Sequence, residues 1–447
     1  KTSVMIFTRD LRIDDNPALV ASLRAQNTSF LFVFDQKILA DGKCPTKKLQ
    51  FLNEAISDLS GSLTSLGGDL AVRKGQWLEE VKTHLAQLNP NEVHIAKDHS
   101  QYAKLRLANL KSWCESQLIT LHCHPGITAV EPGQLHPAGG GEYKVFTPFW
   151  KAWIKTPKRA PVPAPIPTRK PLHDAAFNPV ANNQSVPKGG ESYGTRQLVT
   201  WLEKSVDSYE ETRDFPSQNA TSLLSPYLHF GCISPLRAVT LAGDFQNSEA
   251  FVRQIVWRDF FTQILDARPD VSGVDYRDRG NDWSYNKQQF DAWCSGYTGV
   301  PLVDAGMRQL NQQGLLHNRV RMVVASFLVK NLHHDWRLGA NYFMSRLIDG
   351  DVASNSLNWQ WVAGTGTGNN PNRILNPETQ AKRFDRSSKY IQTWIPELSH
   401  IEPTEAINPS SSTRRKIGYP EPIVDHHKSV EAFKKAISKM STNTSPS

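Results

Sequence analysis

Cysteine pairs, long apolar runs and a glycine-rich phosphate loop are what this sequence lacks. Its five cysteines, Cys44, Cys114, Cys123, Cys232 and Cys294, form no CxxC pair and no even framework. That spacing excludes a disulfide scaffold or zinc ribbon and suits a reducing compartment. No apolar run reaches the roughly 18 residues of a membrane helix, and no signal-peptide pattern is present. A soluble intracellular protein with no membrane association is expected, cytoplasmic if the source is prokaryotic. No GxGxxG follows the first apolar run, so a dinucleotide on that turn is not indicated. His122-Cys123-His124 invites a metal reading, but the end of a strand is the simpler account, and no metal is expected.

Tryptophan, by contrast, is abundant. Twelve indoles in 447 residues exceed what core filling needs, and such rings also serve as stacking platforms and electron relays. A net charge of +8 with a pI near 9.1 fits either an anionic partner, nucleic acid first, or a merely basic surface. The length exceeds one ordinary core, so two domains are the default.

Up to about residue 125, short apolar runs ("SVMIF", "SFLFVFD", "DLAVRKG", "EVHIAKD", "ITLHCH") alternate with amphipathic segments. This alternation predicts a doubly wound α/β domain over 1–125, with a parallel sheet covered on both faces. Residues 126–194 are expected to link it onward, because alternating prolines in "KTPKRAPVPAPIPTRKPL", residues 155–172, forbid helix and interior strand. From 195 to 447 the periodicity is helical, ending in a polar tail with one more helix at "KSVEAFKKAISKM".

Several fragments could carry chemistry. "TSLLSPYLHFG" places Thr221, Ser222 and Ser225 around a helix start, which suits a pyrophosphate, although an N-cap role for Thr221 or Ser222 is simpler. In "FVRQIVWRDFF", Gln254, Trp257 and Phe261 share a helix face with Arg258 beside it, as either a pocket lining or a core helix with a snorkelling Arg. "LLHNRVRMVV" sets Asn318, Arg321 and Met322 on one side of a helix, with Arg319 next round the turn. A buried Arg321 would need an acid, and Asp349 or Asp351 could supply it. After Asp351 no charge occurs until Arg373, yet Trp359 and Trp361 lie in that stretch of amides and small residues.

Taken in order, these fragments resemble the photolyase/cryptochrome family. "TRDLRIDDNPAL" is similar to its first loop and helix. "YEETRDFP", "TSLLSPYLHFGCIS", "QIVWRDFF", "GYTGVPLVDAGMRQLNQQGLLHNRVRMVVASFLVK", "DWRLGANYFMSRLIDGDVASNSLNWQWVAGTG" and "NPETQAKRFD" resemble its flavin-domain signatures. The resemblance implies an N-terminal α/β antenna domain and an all-helical C-terminal domain holding FAD and binding DNA. The implied activity is light-driven repair of cyclobutane pyrimidine dimers by electron transfer from reduced flavin. A cryptochrome-type photoreceptor, or a photolyase of different lesion preference, is the alternative.

By the same resemblance, Tyr209, Thr221, Ser222, Leu223, Leu224, Ser225, Arg258, Arg321, Asp349, Gly350, Asp351 and Asn355 hold FAD. Asp349 would pair with Arg321, and Asn355 would face the reactive ring nitrogen. Trp359, Trp336 and Trp283 match the electron relay from flavin to surface. Trp361 resembles the ring stacked on a flipped dimer, with Trp257 across the cavity. Gln254, Asn318 and Met322 fall at the lesion, and Arg319, Arg373 and Gln380 at the DNA rim. Trp293 matches no functional position, and core packing is its reading. Four features depart from the repair pattern: Gln254 stands for Glu, Phe251 for a Trp that many members have, Leu223 for the Arg of "TSRLS", and "TGTGNNPNRILNP" lacks an Asp and an aromatic pair and is one residue shorter. The expected partner is damaged DNA, the expected state a monomer, and an antenna chromophore of folate or deazaflavin type is allowed.

Overall fold

The computed structural model describes residues 1–42, 44–166, 187–368, 370 and 372–443. Backbone contacts divide the chain into two compact units. The first holds Lys1–Glu210, Ser222–Asp270 and Ile348–Ala353, and the second Glu211–Thr221, Val271–Leu347 and Ser354–Ser447. The first unit thus extends beyond the α/β segment to take in helices from 195 onward. Of the proline-rich stretch, 157–166 carries no helix or strand, and 167–172 lies outside the described residues, as do 444–447 of the tail. The expected tail helix spans His426–Asn443. No helix among the described residues is long and apolar enough to cross a membrane.

The first unit contains the expected parallel sheet. Its strands are β1 (Thr2–Phe7), β2 (Asn27–Asp35), β3 (Leu70–Gly75), β4 (Glu92–Ala96) and β5 (Thr120–His124). They are all parallel, in the order β3-β2-β1-β4-β5. The unbroken apolar runs of β1 and β2 follow from cover on both faces. On one face Val4, Ile6, Leu31, Val33, Val93 and Ile95 pack with Trp77, Val81 and Leu85 of the helix Trp77–Leu88. The second unit is helical around a core that includes Val320, Val323, Val324, Leu328, Trp336 and Trp359.

The loop after β1 ties the first unit together. Arg12 is 1% exposed and donates to four carbonyls: Asp14 at 3.0 Å, Asp15 and Gly231 at 2.9 Å, and Gly126 at 2.8 Å. Glu191 accepts from the Ile13 and Asp14 amides at 2.7 and 2.8 Å, and burial pushes its carboxyl up to about 7. Asp14 takes Arg237 in a bidentate pair at 2.7 Å, and Asp15 accepts from Arg159 and Ser234. Replacing Arg12 by Met would leave four buried carbonyls without their donor. We expect Arg12→Met to cost about 3 kcal/mol, read as an earlier denaturation midpoint, whereas an unmoved midpoint would show that these bonds are dispensable.

Candidate functional site

In the first unit the step Asp349-Gly350-Asp351 is pinned by two cations. Arg9, just after β1, donates from Nη2 to Asp351 Oδ2 at 2.5 Å and from Nε to the His229 carbonyl at 3.0 Å. Lys48 donates from Nζ to the Gly350 carbonyl at 2.9 Å, and burial pulls its ammonium down to about 8. His229 Nδ1 stands 4.0 Å from Asp351 Oδ2, and burial holds its ring neutral well below the ordinary histidine range. Asp349 is buried as well. Asp351 therefore answers Arg9. Neither Arg9 nor Lys48 was singled out from the sequence, because both reach Asp351 and Gly350 over some three hundred residues.

The helix start at "TSLLSP" differs from the simple capping expectation. The helix is Ser225–Phe230, its N-cap is Leu224, and no side chain caps it, so neither Thr221 nor Ser222 does so. Leu223 holds a left-handed φ of 54° and is exposed. Ser225 is exposed, Leu224 is buried, and the Ser222 carbonyl accepts from Gln197 Nε2 at 3.0 Å. No side-chain cap thus meets the amides of this first turn, and Pro226 contributes none. Tyr209 is buried edge-on to Trp201 at 5.1 Å.

The helix Glu249–Ala267 supplies three of the expected residues. Gln254 is exposed, with its amide donating to its own helix at Ala250 O, 3.3 Å away. One face of Trp257 is stacked on Phe146 at 3.7 Å and 5°, a partner the sequence did not reveal. Arg258 is drawn to backbone, donating to the carbonyls of Ile127 and Leu228. Beside it, Asp259 accepts from the Val130 amide and from Trp153 Nε1, both at 3.0 Å, and burial raises its carboxyl to about 6. Arg258 thereby ties its helix to the segment around Ile127.

In the second unit two of the three tryptophans expected to form a relay are buried and one is not. Trp336 is 0% and Trp359 3% exposed, while Trp283 is only partly buried, 5.5 Å from the His333 ring. Trp336 donates from Nε1 to Asp275 Oδ1 at 2.7 Å, and Arg337 holds the same oxygen at 2.7 Å. Trp359 meets Phe343 edge-on at 5.0 Å and packs against Gly339, where an added Cβ would lie 2.2 Å from the indole. Trp293 is core, fully buried with Nε1 bonded to the Val324 carbonyl at 3.0 Å. Asn355 donates from Nδ2 to Ala340 O at 3.0 Å; since a carbonyl only accepts, this fixes the amide and turns Oδ1 elsewhere.

Trp361 is partly exposed and backed by Gly368, where a Cβ would come within 2.8 Å of the ring, so glycine occupies part of the altered loop. Asn369 and Pro371 of that loop lie outside the described residues. Exposed Arg373 approaches the Trp361 ring at 5.8 Å. Asn318 is exposed and 3.9 Å from Met322 Sδ, and Arg321 donates from Nε to Leu316 O at 2.7 Å. Arg319 pairs with Asp214 at 2.8 Å and covers Phe384 at 4.3 Å, so it is already engaged. Gln380 keeps a buried Oε1 without a hydrogen-bond partner. His317, unforeseen, caps the helix Asn318–Ser326 by accepting from the Arg319 amide at 3.2 Å.

A cavity of about 510 Å³ opens beside the carboxyl ends of β2 and β3, lined by Asp35, Lys37, Trp77, Tyr102 and Arg106. Arg106 lies 4.2 Å over the Trp77 ring, and Tyr102 donates to Asp35 at 2.6 Å, with burial and that carboxylate pushing the phenol up to about 12. Its size and aromatic lining suit a planar ligand.

Comparison with known proteins gives consistent matches along the chain. The family model described as DNA photolyase matches residues 3–168, and that described as FAD binding domain of DNA photolyase matches 251–439. A deoxyribodipyrimidine photo-lyase of Streptomyces griseus is 41% identical, covering 97% of this chain and 98% of its own. A cryptochrome from Synechocystis superposes with a TM-score of 0.89 at 28% identity, over 97% of this chain and 99% of its own. An archaeal photolyase from Sulfolobus tokodaii, solved with two FAD molecules, superposes with a TM-score of 0.83 at 30% identity, over 98% of this chain and 100% of its own.

The His317 cap yields a pH test. Burial lowers its pKa from 6.5 to about 4, so the unfolded chain takes up the proton first as pH falls. His317 therefore subtracts stability between about 6.5 and 4. In His317→Asn, which caps without titrating, the denaturation midpoint should fall less steeply across that interval. An unchanged slope would mean that the ring titrates like an exposed imidazole.

Proposed function

The chain belongs to the DNA photolyase family, and from that premise we propose the roles of its residues in light-driven repair of cyclobutane pyrimidine dimers in damaged DNA. FAD is the cofactor. The donor set fits it: uncapped amides and the Ser225 hydroxyl suit the pyrophosphate, and the Asp349-Gly350-Asp351 step offers carboxylates held in place by Arg9 and Lys48. Asn355 and Arg321 are the side chains we place at the flavin ring. A neutral amide there tolerates several flavin charge states that a carboxylate would not. The chemistry supplied by bound, reduced FAD is light-driven electron donation to the dimer.

Trp361 carries the reading. A partly exposed indole, backed by a glycine and overhung by the cation of Arg373, is a platform for an extruded base beside a contact for its phosphate. We place Trp257 as the second ring, its far face supported by Phe146. Asn318, Met322 and Gln254 line the lesion, and Arg319 and Gln380 stand at the rim. The cavity of Asp35, Trp77 and Arg106 is our site for a light-gathering chromophore, a folate, a deazaflavin or a second flavin. The amide at Gln254 favours, as the second reading, a photoreceptor with the same flavin and relay.

Trp359, Trp336 and Trp283 pass electrons inward to restore the reduced cofactor. The Asp275 carboxylate on the Trp336 N–H makes that indole easier to oxidise. Trp359→Phe should retain FAD and lose photoreduction by external donors; photoreduction at the wild-type rate would remove Trp359 from the relay.

Gln254 can donate an N–H to a pyrimidine edge but cannot transfer a proton. A Glu would favour charge that develops only during splitting. Gln254→Glu is thus expected to raise the quantum yield of dimer splitting with little change in DNA affinity. Equal yields in the two proteins would move Gln254 away from the lesion.

A further inference from the structure

Two strands at the edge of the sheet gather ionisable side chains that no role above uses. β4 and β5 pair with His94 against His122 and Ala96 against His124. Because strand side chains alternate, Glu92 and His94 share one face of β4, and His122 and His124 share one face of β5. His94 is the hub. Its ring stacks on His122 at 4.8 Å and on His124 at 5.2 Å, and its Nδ1 lies 3.0 Å from His124 Nε2.

The other ring nitrogen, His94 Nε2, is buried in a residue only 4% exposed and has no hydrogen-bond partner. Glu92 Oε1 is 3.6 Å away, and Glu92 Oε2 is 3.8 Å from His122 Nε2. Both separations are long for hydrogen bonds. They approach the roughly 3.3–3.5 Å between neighbouring donors on a tetrahedral ion with bonds of about 2.0–2.1 Å. The three donor atoms all lie within 4.8 Å of one another.

We propose that Glu92, His94 and His122 bind a divalent transition-metal ion of the zinc type, with water completing the coordination. If His94 donates its Nδ1–H to His124 Nε2, its Nε2 lone pair points at the carboxylate, a repulsive contact that a cation between them relieves. The same bond is the outer-shell support a metal-bound imidazole ordinarily has. Two imidazoles and one carboxylate select a borderline metal over magnesium or calcium, which prefer all-oxygen sites. The positive charges of Arg24 and Lys97, both felt by His124, weigh against simple cation attraction, so the nitrogen bonds must hold the ion. "HCH" looked like a mere strand end because its partners Glu92 and His94 sit on the preceding strand. The ion would clip β5, an edge strand, to its neighbour β4.

Tag-free full-length protein, stripped with a chelator and desalted, is titrated with zinc chloride against a chromogenic zinc indicator. One equivalent bound with micromolar or tighter Kd is expected, with a higher Tm in the presence of zinc. His122→Ala alters a ring whose side chain is 42% exposed and should fold normally. It should weaken the site by about tenfold or more, while His400→Ala, an exposed histidine elsewhere, should leave it unchanged. Wild-type binding weaker than about 100 µM, or equal affinity in wild type and His122→Ala, overturns the proposal.

Discussion

The ion pair between Arg9 and Asp351 is the constraint that fixes the Asp349-Gly350-Asp351 step in the first unit. A carboxylate drawn partly out of water must find a cation and hydrogen bonds, and this pair is partly buried, with side chains 22% and 12% exposed. Arg9 can serve because it follows β1 directly, and the next residues are knotted to the helices by Arg12, Asp14, Asp15 and Glu191. The position of Asp351 is thereby inherited from the end of a sheet strand. Lys48 adds the Gly350 carbonyl to the same anchor at the cost of a depressed pKa. Two motifs that look unrelated in the sequence, "TRDLRIDDN" and "DGD", are halves of one interaction.

In the second unit the equivalent constraint is close packing. Gly339 lets a helix approach the Trp359 ring to a distance no Cβ would allow, and Gly368 does the same for Trp361. One indole is thus sealed from water, which suits the inner relay position we propose for it, and the other is held partly open, which suits the stacking role we propose. Trp336 combines full burial with a carboxylate on its N–H, so its environment differs from that of Trp293, whose N–H meets a neutral carbonyl.

What the sequence made legible was whatever is periodic or local. The five strands follow their apolar runs, the helical region its period, and Trp293 its expected packing. Partners separated along the chain were invisible: Arg9 for Asp351, Phe146 for Trp257, Asp214 for Arg319, and His94 for His122. Local rules also misled where tertiary structure supplied something else. Thr221 and Ser222 have capping chemistry, yet the N-cap is Leu224, while His317, a less common cap, takes that role in the next motif. Leu223 occupies a left-handed conformation that propensity would assign to glycine or asparagine. Such a residue is held by its surroundings, which a sequence does not display.

The central claim is that this chain uses light to split pyrimidine dimers, and the direct measurement is loss of dimer from a defined oligonucleotide carrying one cyclobutane lesion. Purified protein with its FAD chemically reduced should restore the two pyrimidines under blue light and leave the lesion untouched in the dark. An intact lesion after illumination, with reduced FAD confirmed by absorbance, would contradict the account.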